Sequence, residues 1–132
     1  MVFESPSAFG PNVLIVDDDE ETRGAVRDLL VDEGLNVTEA HNGRMALDIL
    51  TSREKPDAIV LDLDMPVMSG LELLDIMRRY ARLSRVPVIV FSGTDWPVGG
   101  EPVVKVLGKS ASTEALVRAA RRSVGMDSSP AR

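Results

Sequence analysis

The sequence contains no cysteine, which excludes disulfides, thiolate catalysis and Cys-ligated zinc. No apolar run approaches the roughly 20 residues of a membrane-spanning helix. Basic charge is in deficit: 15 Lys and Arg stand against 21 Asp and Glu, a formal net charge of -6 at pH 7. That balance argues against nucleic acid or an anionic membrane as partner of this domain and leaves a protein partner open. Met1 to Pro11 shows no basic region followed by an apolar run, so no signal peptide is expected and a cytoplasmic location is the default. There is no internal repeat and no low-complexity block. At 132 residues, with 44% hydrophobic and 27% charged residues, the chain fits one domain with one core.

Strand-like and helix-like patterns alternate along the chain. Residues 1–10 read as a flexible leader. Asn12 to Val16 is an apolar run ending in Asp17-Asp18-Asp19. Asp18 followed by Glu21 resembles a capping box, and the helix it opens carries Thr22, Val26, Leu29 and Leu30 on one face until Gly34 stops it. Leu35 to Ala40 reads as the second strand. Asn42-Gly43 marks a turn before a short helix with Met45, Ala46, Ile49 and Leu50. The lone histidine, His41, falls beside that turn and reads as a loop residue.

Ala58 to Leu61 is wholly apolar, as a strand buried on both faces requires, and Asp62 stands where it gives out. Turn residues Asp64, Pro66, Ser69 and Gly70 follow. Leu71, Leu74, Met77 and Ala81 then predict a helix from Ser69 to about Arg82. Val86 to Phe91 is a fourth strand finishing at Ser92-Gly93, and Val103 to Leu107 a fifth, with Lys109 just beyond. Ala111 to Val124 is the last helix, and 126–132 reads as a flexible tail. This alternation predicts an α/β fold: a parallel sheet with helices on both faces.

In such a sheet, ligands bind beyond the carboxyl ends of the strands. The first strand delivers Asp17 and Asp18 there, the third Asp62, the fourth Ser92, and the fifth Lys109. Each alone has an ordinary alternative as a cap, turn or surface residue. Their coincidence at the ends of four strands is what carries weight. Grouped carboxylates repel unless a cation compensates, and a hard divalent ion such as Mg²⁺ suits oxygen ligands. A lysine and a hydroxyl beside it suit the remaining oxygens of a phosphoryl group. The pattern reads as a carboxylate that receives a phosphoryl group.

With these residues in place, the chain resembles the receiver domain of two-component response regulators, the stand-alone chemotaxis type being similar in size. Val16-Asp17-Asp18 resembles the family's acidic pair. Leu61-Asp62-Leu63-Asp64-Met65-Pro66 with Gly70 resembles its phosphoacceptor motif, and Ser92-Gly93 its strand-end hydroxyl. Lys105 and Lys109 compete for the family's lysine; Lys109 is chosen because Leu116 follows it by seven residues, as in the family. The resemblance covers residues 11–125. It implies a flavodoxin-like, doubly wound five-stranded parallel sheet of order 2-1-3-4-5. It also implies Asp62 as phosphoacceptor, with Ser92 and Lys109 on the phosphoryl oxygens. Mg²⁺ would be held by Asp17, Asp18, Asp62 and the backbone carbonyl of Asp64. The implied partners are a histidine kinase or histidine phosphotransfer protein and a downstream protein.

The sequence departs from the family's pattern in three places. Ser110 follows Lys109 where the family usually has proline after a cis bond, and a cis bond before serine costs about 2.5–4 kcal/mol. Val106 occupies the position of a switching aromatic. The stretch Gly93 to Pro102 is short and rich in glycine and proline, so the fourth helix is expected to be shortened or missing. This stretch, carrying Trp96, is the expected site of any switching. Two other functions compete: a pseudo-receiver that binds without switching, and a haloacid-dehalogenase-like phosphatase suggested by Asp62-Leu63-Asp64. The second is disfavoured, because in that family the DxD strand comes first.

Overall fold

The strands carry apolar residues destined for two different faces, and the fold follows from covering both. In the computed structural model, residues 10–52, 55–94 and 97–126 are described. The elements run β1 (Asn12–Val16), α1 (Glu20–Asp32), β2 (Asn36–Ala40), α2 (Gly43–Ser52), β3 (Ala58–Leu61), α3 (Gly70–Arg78), β4 (Val88–Ser92), β5 (Val103–Gly108) and α4 (Thr113–Ser123). The strands form one five-stranded sheet, order β2-β1-β3-β4-β5, with every pair parallel. The fold class and sheet order agree with expectation, and among the described residues the fourth crossover carries no helix, in keeping with one expected to be shortened or missing. No helix among the described residues is long and apolar enough to cross a membrane.

Successive side chains of a strand point to opposite faces. Val13, Ile15, Ala58, Val60, Ile89 and Phe91 therefore meet Val26 and Leu30 of α1 and Leu116 and Ala120 of α4. Their strand neighbours Leu14, Val16, Ile59, Leu61, Val88 and Val90 face Ala46 and Leu50 of α2 and Leu73, Leu74 and Met77 of α3. β1, β3 and β4, covered on both sides, supply the most buried strand residues.

Local details refine the sequence reading. The N-cap of α1 is Asp19, not Asp18: its carboxylate accepts from the Thr22 amide at 3.2 Å and also from the Thr22 hydroxyl. Asp18 is thereby left outside the helix. The capping box expected there occurs instead at α3, between Ser69 and Glu72. That helix ends at Arg78 and gives way to turns, because Leu83 and Val86 fold back into the core while Ala81 stays exposed. Gly34, at φ +90°, closes α1 as predicted.

Between β4 and β5 there is no helix among the described residues. Val98 packs onto the core beside α2 and α3, and Arg78 holds the segment down. Its Nε donates to the Glu101 carbonyl at 2.9 Å, and one terminal nitrogen to those of Gly99 at 2.7 Å and Gly100 at 3.2 Å. Trp96, where a change of exposure was expected, lies outside the described residues.

Candidate functional site

The carboxyl ends of β1, β3 and β4 bring together three buried polar side chains, Asp17, Asp62 and Ser92. Register does this: Val16 pairs with Leu61, and Leu61 with Val90, so the residues just past the ladder emerge side by side. The Asp62 amide donates to the Val16 carbonyl at 2.9 Å, fixing the acceptor loop against β1. Gly70 is needed beneath it. A Cβ there would lie 2.4 Å from the Asp62 carbonyl oxygen and 2.7 Å from Leu63 Cα.

Asp62 is held at both oxygens. Oδ1 accepts from Ser92 Oγ at 3.0 Å and from the Asp64 amide at 3.3 Å, while Oδ2 lies 3.5 Å from Lys109 Nζ. Lys109 lies closer to Asp17, 2.8 Å from its Oδ2, and the Asp19 amide donates to Asp17 Oδ1 at 2.9 Å. β5 aims this lysine through the Lys109 amide, which donates to the Ser92 carbonyl at 3.1 Å. Lys109 thus reaches the site although Ser110 follows it; the cis peptide among the described residues is Glu101–Pro102. Lys105, the alternative, is exposed within β5.

Burial pushes the Asp17 carboxyl above its usual range, and the hydrogen bond and charge of Lys109 do not cancel that effect. Burial also pulls the Lys109 ammonium down, but the Asp17 and Asp62 carboxylates outweigh it and hold Lys109 above the ordinary lysine value. One ammonium serves two buried carboxylates, and an exposed third stands beside them. Asp17, Asp18 and Asp62 each offer an oxygen, all within 4.8 Å of one another. That all-oxygen, under-neutralised set fits a hard divalent cation such as Mg²⁺. The Asp64 side chain is exposed and not part of this group.

Two further polar residues, not singled out from the sequence, join the site. The Thr94 hydroxyl lies 3.1 Å from Ser92 Oγ. The Arg23 guanidinium donates to the Asp17 carbonyl at 2.9 Å. Only their spacing from the motif residues could have pointed to them.

The model of the response regulator receiver domain matches residues 13–120. The chain belongs to the response regulator receiver family. It is a receiver of two-component signalling, and the match spans every element from β1 to most of α4. A two-component response regulator of Oryza sativa subsp. indica, ORR11, is 33% identical over 87 residues, 66% of this receiver and 59% of that protein. The receiver spans 61%, 37% and 26% of the lengths of three other curated relatives it matches. Chemotaxis protein CheY4 of Vibrio cholerae superposes with TM-score 0.74 at 29% identity, covering 86% of this receiver and 98% of that chain. Response regulator TrrA of Thermotoga maritima, solved in complex with Mg²⁺-BeF, shares the fold at TM-score 0.74 and 24% identity, over 86% and 98% of the two chains.

Proposed function

We propose that Asp62 accepts a phosphoryl group from the phosphohistidine of a histidine kinase or histidine phosphotransfer protein, and that the modified receiver signals by binding another protein. The observation that carries this is the meeting of three carboxylates within 4.8 Å beside the Lys109 ammonium and the Ser92 hydroxyl. An Asp62 oxygen attacks phosphorus; the O–P bond forms, the N–P bond breaks, and its electron pair leaves on the imidazole nitrogen. Asp17, Asp18, Asp62 and the main-chain carbonyl of Asp64 would hold Mg²⁺, which when bound neutralises charge on the carboxylates and phosphoryl oxygens. Lys109 turns from Asp62 to a phosphoryl oxygen, and Ser92 donates its hydroxyl to another. TrrA of Thermotoga maritima in its Mg²⁺-BeF complex supports this assignment by likeness of fold.

Residues 11–125 constitute the receiver in this reading, which includes a cytoplasmic setting and a chain that catalyses only its own phosphorylation and dephosphorylation. Exposed Val106 favours a second reading, a receiver that binds without switching. Labelling with a radioactive small phosphodonor in Mg²⁺ tests the first. Wild type is expected to label and Asp62→Asn not to. Stable labelling of Asp62→Asn would place the chemistry elsewhere, and a wild type that never labels would favour the second reading.

A further inference from the structure

We propose that Arg23 is a positioning residue for the cation site, acting through the peptide that joins Asp17 to Asp18. The inference rests on the function proposed above and deepens it. Arg23 lies in the second turn of α1 with its side chain 15% exposed. Its Nε donates to Glu39 Oε1 at 2.9 Å, and its second bond, at 2.9 Å, goes to the Asp17 carbonyl. Glu39, on β2, is itself steadied from the other side, its Oε2 accepting from Arg27 at 3.2 Å. A helix-to-strand brace would need only the carboxylate.

The carbonyl bond falls at a particular place. The Asp17 amide makes the last β1–β2 hydrogen bond, to the Ala40 carbonyl at 3.1 Å, so the Asp17 carbonyl points beyond the ladder. A peptide unit is planar, and fixing its oxygen fixes the following amide and the start of the next residue. That next residue is Asp18. Asp17 is buried and bonded at both carboxylate oxygens, but the Asp18 side chain is exposed. Its aim is therefore set by the main chain rather than by packing. Arg23 fixes that main chain, and its own charge is balanced by the Glu39 carboxylate. Partners of this kind, one bond removed from a ligand, typically change metal affinity by about 10- to 100-fold when lost.

The test is calorimetric titration of Mg²⁺ into the full chain, paired with thermal unfolding without Mg²⁺. Arg23→Ala is expected to weaken Mg²⁺ binding about tenfold. Labelling by the small phosphodonor should need more Mg²⁺ but reach the wild-type plateau. Arg23→Lys keeps the charge but not the fork that spans Glu39 and the carbonyl. It is expected to fold and to recover only part of the affinity, which keeps the test decisive should Arg23→Ala not fold. Wild-type Mg²⁺ affinity in either folded variant, with only the unfolding midpoint lowered, would make Arg23 a brace and overturn the inference. If wild type binds Mg²⁺ and Asp18→Ala impairs it while Arg23 variants do not, only this inference fails. If wild type binds no Mg²⁺, the proposed function fails with it.

Discussion

β3 and β5 belong to the same sheet, separated by one strand, yet their surroundings differ sharply. β3 lies between neighbours and beneath helices on both faces; none of its side chains exceeds 2% exposure. β5 is an edge strand preceded by a segment with no helix among its described residues, and its Val104 is 55% and Val106 50% exposed. Both nevertheless deliver a group to the same cluster, Asp62 from one and Lys109 from the other. Lys109 can do so because its main chain is bonded to the end of β4. Placing the lysine thus needs the β4–β5 ladder and not a helix over it. The acidic centre can stay whole while the face beside it is stripped.

The largest expected contrast comes from one substitution at each place. Gly70→Ala drives a Cβ into the Asp62 and Leu63 backbone, which no rotamer change relieves. It should cost about 1–3 kcal/mol in denaturant unfolding and reduce labelling. Gly99→Ala meets nothing within 4 Å and needs no positive φ, so it should be neutral or stabilising by about 0.5 kcal/mol. Equal losses at the two positions would erase the distinction between a packed centre and an open edge.

A smaller effect is expected from Arg78→Ala, which removes three bonds to the β4–β5 segment. Amide exchange around Val103, whose N–H bonds the Gly100 carbonyl, should quicken roughly tenfold while β3 is unaffected. Quickening in β3 as well would mean the segment supports the centre after all.

The last contrast is read along pH and concerns Lys109. Its ammonium is favoured in the folded state, so its contribution is full below the ordinary lysine pKa. It is lost as pH rises through the higher folded value. Alkaline unfolding curves of wild type and Lys109→Met should therefore converge only above the ordinary lysine range. A constant gap at every pH would mean the charge contributes nothing.

Much of this arrangement was legible in the sequence because apolar runs end where the carboxylates begin. Runs such as Ala58–Leu61 identify buried strands, and parallel strands must place their ends on one edge, which brought Asp17, Asp18, Asp62, Ser92 and Lys109 together in advance. What escaped depends on contacts between elements. Three consecutive aspartates offer the helix three possible caps, and geometry at Thr22 selects Asp19. The end of α3 escaped because Leu83 and Val86 are buried through turns, where a helical stripe has no say. An arginine in an early helical turn reads as solvent-facing, so apart from its spacing from the acidic pair nothing foretold that Arg23 reaches the main-chain oxygen of Asp17, just past β1.

The clasp at Arg78 has a consequence for how this chain can vary. Its guanidinium reads only carbonyl oxygens, which every amino acid carries, so it recognises the course of residues 99–101 and not their identity. Gly100, at φ +78°, is bound to its type by backbone geometry, but positions 99 and 101 are free to take on new side chains without changing the path. A lineage, or an engineer, could rewrite those two positions as a recognition tag. The scaffold beneath would not register the change. Removing a single residue would be another matter, because the three oxygens would then fall out of step with the one donor group that holds them.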